Sequence, residues 1–208
     1  MNNTLENTKV MQAVSVGAPA LMELLTGAGL HAHAKADIPA LNSIRIKEVD
    51  GKLIGEATDR YRLVRGSIPV FLVENESGTL DETIISLDDS KRVIALCKSL
   101  DKRNAVTLTR SGDILSVSSA GSSITINALD VKVPSFEQFL EPVKPVALTG
   151  IQFNTKFYGD LAKLCGKNSA KSGVYVSFGV GENKPMSFTI DGESVKWHGA
   201  IMPMRKAN

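Results

Sequence analysis

The chain has 208 residues, of which 43% are hydrophobic and 22% charged, and its formal net charge is only +2. These values are typical of a globular protein in water, and the lack of any run of 18 apolar residues excludes a membrane-spanning helix. A leader with a basic and then an apolar stretch is also absent, so we expect a cytoplasmic location. The two cysteines, Cys97 and Cys165, occupy apolar positions of predicted helices, which indicates buried, reduced thiols.

The first segment of the chain predicts a helix flanked by strands. Pro19 fits the first turn of the helix, and Gly27 and Gly29 indicate its end. Asp50 and Gly51 form a strong signal for a tight hairpin. The strands expected here cover residues 8–16, 43–49 and 52–57.

Residues 57–64, with the sequence A-T-D-R-Y-R-L-V, alternate with a period of two and are predicted as one further strand. This alternation is typical of a half-exposed antiparallel strand, in which Asp59 partly neutralises its two arginines. On the pattern alone, an ordinary surface strand is the simplest interpretation.

The second and third segments repeat the same order of helix and strands. Asp88 or Asp89 is expected to cap the second helix, and Asn154 or Thr155 the third. Residues 134–145 contain three prolines and are interpreted as a connector. The positions expected to be buried are Val93, Leu96, Cys97 and Leu100 in the second helix and Phe157, Leu161, Leu164 and Cys165 in the third. The expected strands cover 83–87, 105–109, 114–119, 123–129, 146–153, 174–179, 186–191 and 195–202.

Several motifs resemble those of the bacterial processivity clamp, the beta subunit of the replicative DNA polymerase. A T-D-x-x-R-L stretch at residues 58–63 and an M-P-M-R tail at 202–205 are similar to two of the family's signatures. Residues 40–43, 130–142 and 151–154 also look like family segments. The matches follow one another at similar spacing over most of the chain, so together they are more specific than either signature alone.

The resemblance implies an α+β fold of DNA-clamp repeats, with about three half-domain units of strand, helix and strands. Residues 1–143 would form a complete clamp domain from two units, and residues 144–208 a C-terminal half-domain. The family's third domain has a further front half that finds no counterpart in this sequence. We also expect a short clamp of this kind to be phage-encoded or carried by a mobile element.

The resemblance further implies a hydrophobic pocket for short peptides of replication proteins. Methionines adapt to varied apolar side chains, and arginines meet acidic or amide groups at a rim. A terminal Met-Pro-Met is equally suited to fill a core. The implied pocket residues are Thr58, Arg60, Tyr61, Arg62, Leu63, Pro142, Ile201, Met202, Pro203, Met204 and Arg205. Arg60 and Tyr61 replace the Gly-His of the commonest family pattern, which leaves the peptide specificity open.

Basic residues recur along the second and third predicted helices, on the side away from the apolar stripe. A solvated lysine face is the ordinary explanation of such a pattern. In the clamp family, however, these helices line a central hole, where lysines attract the phosphates of duplex DNA without reading bases. The DNA-facing residues implied are Lys91, Arg92, Lys98, Lys102, Arg103, Lys156, Lys163, Lys167 and Lys171.

No motif in the sequence indicates catalysis: a P-loop, a nucleophile elbow and a paired-cysteine metal site are all missing. The three histidines lack the spacing of metal ligands. His31 and His33 are expected to face solvent and, with Lys35, to be secondary candidates for DNA contact. We therefore expect neither an enzyme nor a cofactor or metal.

The leading expectation is a DNA sliding clamp that encircles duplex DNA, independently of sequence, as a homo-oligomeric ring. It would tether DNA polymerase, a clamp loader or other clamp-binding proteins through its pocket. Family rings contain twelve half-domain units, so three units per chain favour a tetramer. One alternative is a non-encircling adaptor or decoy that binds clamp-interacting peptides and modulates host replication. A simple duplex-binding protein is a third interpretation.

Overall fold

The computed structural model describes residues 12–35, 37–71, 77–140, 153–166, 173–178 and 184–204. Its strands are β1 (Gln12–Gly17), β2 (Ser43–Val49), β3 (Lys52–Thr58), β4 (Arg62–Pro69), β5 (Thr83–Ser86), β6 (Ala105–Ser111), β7 (Ile114–Ser119), β8 (Ser122–Asn127), β9 (Val174–Phe178), β10 (Met186–Asp191) and β11 (Lys196–Ile201). Its helices are α1 (Ala18–Gly29), α2 (Leu87–Ser99), α3 (Glu137–Leu140) and α4 (Thr155–Leu164).

The strands form two antiparallel sheets. Seven strands pair in the order β5-β2-β3-β4-β11-β10-β9, and four in the order β1-β6-β7-β8. The predicted α+β class is confirmed, because helices alternate with groups of antiparallel strands along the chain. Strands β9 to β11, near the end of the described residues, join β2 to β5 through β11, whose residues Lys196 and Ile201 lie opposite Ser67 and Arg62 of β4.

The hydrophobic core lies between the helices and the sheets. It takes side chains from α1, α2 and α4 together with both sheets. Val64 of β4 belongs to this core, whereas the preceding Leu63 belongs to a separate small cluster. Because side chains alternate along a strand, the seven-stranded sheet has a helix-covered face and an opposite face, which we call the outer face.

Gly27 lies inside α1, so the prediction that it ends the helix is wrong. A Cβ atom at this position would overlap the ring of Trp197 and come within 2.9 Å of Leu164. Glycine therefore permits α1 to approach β11 and α4 closely. Gly29 is the last residue of the helix, as expected.

The N-cap of α2 is Ser86 rather than Asp88 or Asp89. Its hydroxyl accepts a hydrogen bond from the Asp89 N–H at 3.0 Å and donates one to the Asp89 carboxylate at 2.7 Å. The two aspartates occupy the first turn, where negative charge is favourable to the helix dipole. Asn154 caps α4 as expected, because its side chain accepts a hydrogen bond from the Lys156 N–H at 3.0 Å.

The single strand predicted over residues 57–64 is wrong. Strand β3 ends at Thr58, a turn follows, and β4 begins at Arg62. Asp59 causes the reversal, since its Oδ1 accepts hydrogen bonds from the N–H groups of Tyr61 and Arg62, each at 3.0 Å. An aspartate that bonds the backbone two residues ahead is a turn former, whatever the alternation around it.

Other predicted segments differ from the structure or fall outside the described residues. The short helix α3 lies inside the predicted connector. Residues 8–11 and 141–152 lie outside the described residues, and with them the start of the first strand, most of the strand at 146–153 and the predicted domain boundary at 143.

Cys97 and Cys165 are free, buried thiols. Burial raises the pKa of Cys97 to about 11. Among the described residues, no helix has the length and apolar character needed to span a membrane.

Candidate functional site

A groove of about 170 Å³ opens on the outer face of the seven-stranded sheet, beside the junction of β4 and β11. The β3–β4 turn, the end of β11 and the segment around α3 form its walls and floor. Its lining residues are Leu41, Thr58, Arg60, Tyr61, Arg62, Leu63, Pro134, Phe136, Phe139, Pro185, Ala200 and Met202. Six of these belong to the predicted pocket, namely Thr58, Arg60, Tyr61, Arg62, Leu63 and Met202.

The β3–β4 turn forms one wall of the groove. The Thr58 hydroxyl donates a hydrogen bond to the Arg62 carbonyl at 2.8 Å and accepts one from the Arg60 N–H at 3.2 Å. Arg60 has the left-handed backbone conformation, with φ of 78°. The following Tyr61 is 65% exposed at the mouth.

The end of β11 forms the opposite wall. Ala200 lies opposite Leu63 in the strand register, and the N–H of Met202 donates a hydrogen bond to the Tyr61 carbonyl at 2.8 Å. This bond holds Met202 against the turn, so the two sequence signatures lie side by side.

The other predicted pocket residues do not line the groove, or lie outside the described residues. Ile201 is completely buried in the main core on the helix-covered face. Pro203 and Met204 follow β11 beyond the lining, and Met204 is 48% exposed. Pro142 and Arg205 lie outside the described residues.

The groove floor comes from a segment to which the sequence analysis assigned no binding role. Phe136 and Leu140 are buried against Leu63 and Ala200. The N–H of Leu140 donates a hydrogen bond to the Phe136 carbonyl at 3.2 Å, which places these two residues on one side of α3. Phe139 remains 37% exposed. The apolar residues within 133–140 are the sequence signal that could have identified this floor.

An ion-pair network fastens α3 to the sheet. Glu56 is 1% exposed and accepts hydrogen bonds from Arg45 Nε at 2.6 Å and Arg65 Nε at 2.5 Å. Arg65 also donates to Glu137 of α3 at 2.6 Å, and this bond lowers the pKa of the Glu137 carboxyl. The Arg45 guanidinium lies 5.1 Å from the centre of the Phe136 ring. The floor is therefore held in place by charges on the strands beneath it.

The guanidinium of Arg62 points away from the groove. It donates hydrogen bonds to Asp160 of α4 at 2.5 Å, to the Leu30 carbonyl at 2.6 Å and to Asp59 at 3.0 Å. It also stacks on Phe157, 4.4 Å from the ring centre. The side chain joins β4 to α4, and only the remainder of the residue is available to the groove.

His31 is completely buried, so the expectation that it faces solvent is wrong. Its Nδ1 lies 3.2 Å from the Gly27 carbonyl oxygen, and its Nε2 has no hydrogen-bond partner among the described residues. Burial, and secondarily the positive charge of Arg62, lower the pKa of His31 to about 4. A DNA contact by His31 is thereby excluded, whereas His33 is partly exposed and lies 3.3 Å from Asp37.

The predicted DNA-facing residues that the structure describes are all exposed, but their charges are compensated to different degrees. Four of them form ion pairs with acids: Lys91 with Asp88, Arg92 with Asp89, Lys163 with Asp160 and Arg103 with Asp101. Three form no ion pair with any described residue: Lys98, Lys102 and Lys156. The unpaired lysines are therefore the stronger candidates for phosphate contact.

The basic stripe on the second helix is shorter than predicted. Because α2 ends at Ser99, Lys102 and Arg103 lie beyond the helix rather than on it. Lys167 and Lys171 of the predicted third stripe lie outside the described residues.

A wider depression of about 520 Å³ also lies on the outer face. Side chains of both signs surround it, among them Lys47, Lys52, Asp50 and Asp191. In the described part of the chain, no three His, Cys, Asp or Glu side chains are grouped to hold a metal ion. The mixed charges select no ligand class, whereas the smaller groove has a consistent apolar character.

Comparison with solved structures finds the same fold in bacterial sliding clamps. The DNA polymerase III beta subunit of Thermotoga maritima superposes with a TM-score of 0.75 at 14% identity, over 94% of this chain and 66% of that one. The Pseudomonas aeruginosa beta subunit gives 0.73 at 14% identity, over 98% and 69%. The Bacillus subtilis sliding clamp gives 0.71 at 16% identity, over 100% and 67%.

No protein-family model and no curated protein sequence matches the chain. The chain spans about two thirds of the length of the solved structures that it matches. At identities this low the likeness establishes the fold, and the chain has the fold of a sliding clamp.

Proposed function

We propose that this chain is a DNA sliding clamp, which encircles duplex DNA as a homo-oligomeric ring and tethers replication proteins through its groove. The observation that carries the proposal is that the groove and the basic helices occupy opposite faces of one sheet. Leu63 and Arg62 are adjacent in β4, yet Leu63 packs beside the groove floor and Arg62 meets α4. A tether needs this separation, because the DNA and the tethered protein must not compete for one surface.

The chemistry of the groove suits a short peptide with bulky apolar side chains. Its lining is mostly apolar, and the aromatic residues Tyr61 and Phe139 are exposed at its edge. Exposed aromatic side chains at a concave site are typical of binding surfaces. Met202 adds an adaptable thioether beside them.

The helix side suits a duplex held without base recognition. Lys98, Lys102 and Lys156 are exposed and carry charges that no described acid offsets. Lysines of this kind attract phosphates over a distance and allow a protein to slide. The proposal assigns the chain no catalytic step.

A test of the DNA interaction compares nicked circular DNA with the same DNA after linearisation. A ring is expected to stay on the circle and to leave through free ends, whereas an ordinary duplex-binding protein ignores the ends. The variant Lys98→Glu/Lys156→Glu should lose retention and remain assembled. The control variant Lys91→Met/Asp88→Asn should retain most of it, because it removes a lysine and the acid that offsets it without changing the net charge. Retention unchanged in the first variant would remove these lysines from the proposal.

The oligomeric state is tested by light scattering. If twelve half-domain units close the ring, as the resemblance implies, the particle mass is roughly four times the chain mass of 22.3 kDa. A monomer at high concentration would overturn encirclement by this chain.

A non-encircling adaptor or decoy is the second candidate, and one observation favours it: both sequence signatures contribute lining residues to the groove within one chain. A monomer could therefore bind clamp-interacting peptides without forming a ring. Peptide binding by a monomeric chain, combined with no retention on circular DNA, would select this function.

A further inference from the structure

Arg60 carries the one uncompensated charge among the residues that line the groove in the described part of the chain. The other charged residue in the described lining is Arg62, whose guanidinium is occupied by Asp59, Asp160 and the Leu30 carbonyl. Among the described residues, no acidic side chain belongs to the lining. The Arg60 guanidinium has no hydrogen-bond or ion-pair partner among the described residues. The groove therefore combines an apolar interior with a free positive charge at its mouth.

The backbone of Arg60 makes this residue choice unusual. Its φ of 78° lies in the left-handed region, where a side chain is disfavoured and glycine is not. Hydrogen bonds on both sides hold the conformation: the Arg60 N–H donates to Thr58, and Asp59 accepts from the N–H of Tyr61. Glycine would fit this turn without strain, so the turn geometry gives no reason for arginine. Strained residues of this kind concentrate at functional sites.

The neighbours of Arg60 define what it could bind. Tyr61 and Phe139 are exposed aromatics of the same groove, and Leu63 and Phe136 are buried at its base. A guanidinium forms two parallel hydrogen bonds with a carboxylate, and this geometry makes it selective for acids. Consider a peptide whose apolar residues fill the groove interior. An acidic residue close to them in the peptide sequence would then lie beside Arg60.

We propose that Arg60 makes the groove selective for peptides in which an Asp or Glu lies beside the bulky apolar residues. This inference rests on the proposed function, since it requires that the groove binds a partner peptide. It extends that function by naming the chemistry of the partner and the residue that recognises it.

The probe is a displayed library of random peptides, selected against the full chain and, in parallel, against the Arg60→Gly variant. Glycine accepts the observed φ, so this variant keeps the turn and removes only the side chain. Selection on the original chain should enrich peptides with an acid within three residues of a bulky apolar residue. Selection on Arg60→Gly should enrich the apolar residues alone.

The decisive comparison uses the best selected peptide and its Asp→Asn or Glu→Gln counterpart. The amide form should bind the original chain on the order of tenfold more weakly than the acid form does. The two forms should bind Arg60→Gly with equal affinity. The charge-reversed variant Arg60→Glu should prefer the amide form.

The outcomes separate this inference from the proposal on which it rests. Selected peptides that lose binding to Phe139→Ala occupy the groove. If the original chain binds the acid and amide forms of such a peptide equally, Arg60 selectivity is overturned and groove function stands. If no selected peptide depends on Phe139, both are overturned.

Discussion

Arg62 of β4 donates a hydrogen bond of 2.5 Å to Asp160 of α4, a residue 98 positions later in the chain. Both side chains are nearly completely buried. Asp160 also accepts a hydrogen bond from Lys163 at 2.7 Å, and Lys163 is exposed. One buried carboxylate thus joins the strand beside the groove to the helix that carries the basic residues.

Loss of the Arg62 charge should destabilise the fold strongly. In Arg62→Met, Asp160 would keep its buried charge with only an exposed lysine as partner. Removal of one member of a buried ion pair costs about 3–5 kcal/mol of unfolding free energy. Urea unfolding of the purified chain measures this loss.

Lys163→Met is the matched control, because it removes the exposed partner of the same carboxylate. An exposed ion pair contributes only about 0–1 kcal/mol, so this variant should unfold almost like the original chain. Equal losses in the two variants would contradict the central role given to Arg62.

The unfolding free energy should fall as the pH is lowered from about 6.5 to about 4, partly because of His31. The pKa of His31 is lowered from 6.5 to about 4 by burial and by Arg62, while the Gly27 carbonyl and Asp160 act in the opposite direction. Across this window His31 binds a proton in the unfolded chain but stays neutral in the folded chain. The loss attributable to His31 reaches about 3 kcal/mol at the acid end.

His31→Leu should remove this part of the pH dependence, as measured by urea unfolding at several pH values. Some slope should remain, since burial also lowers the pKa of His198. An unchanged slope in His31→Leu would show that His31 is not neutral and buried in solution.

Gly27 of α1 and Gly159 of α4 should respond to alanine in opposite ways. A Cβ at Gly159 of α4 meets no atom within 4 Å, so Gly159→Ala should raise the unfolding free energy by about 0.5–1 kcal/mol through helix propensity. A Cβ at Gly27 overlaps the Trp197 ring, so Gly27→Ala should lower it by about 1–3 kcal/mol. Thermal or urea unfolding measures both, and a stabilised Gly27→Ala would contradict the close packing of α1 on β11.

Truncation of Phe139 should weaken peptide binding while leaving the fold intact. Phe139 lines the groove and is 37% exposed, so its loss removes contact area without opening the core. Fluorescence anisotropy with a selected peptide should show a loss of about 2 kcal/mol, as at binding hot spots.

Tyr175→Ala is the control for that measurement. Tyr175 is also an exposed aromatic of the seven-stranded sheet, but it lies on β9 and outside the groove lining. Its removal should leave peptide affinity unchanged. A similar loss in both variants would indicate non-specific adsorption to exposed aromatics.

Local sequence patterns predicted much of the fold, because they report local geometry. The bounds of β2, β7 and β10 agree with the prediction, since period-two alternation between turn residues specifies a strand. The buried positions of α4 also follow the helical period, with Leu161 and Leu164 in the core. The error at residues 57–64 arose because the alternation continues through a turn that a side-chain hydrogen bond of Asp59 creates.

The candidate groove was predictable only in part. The T-D-x-x-R-L and M-P-M-R signatures identified two of its walls, and both contribute residues to it. The floor at Phe136 and Phe139 was missed, because a short helix beside several prolines carries no long period of its own. This short helix is stabilised by burial of its apolar side against Leu63 and Ala200, which are distant in sequence.

The sequence by itself determined which residues share a face of each strand or helix, because side-chain periodicity is a property of the local backbone. Only the tertiary structure decided which face meets which partner. Arg60 and Arg62, two positions apart, illustrate the difference: the Arg60 guanidinium has no partner among the described residues, while Arg62 is neutralised by a carboxylate 98 residues away. The free energy of a buried charge depends on the partners that the fold brings to it, and no local pattern specifies them.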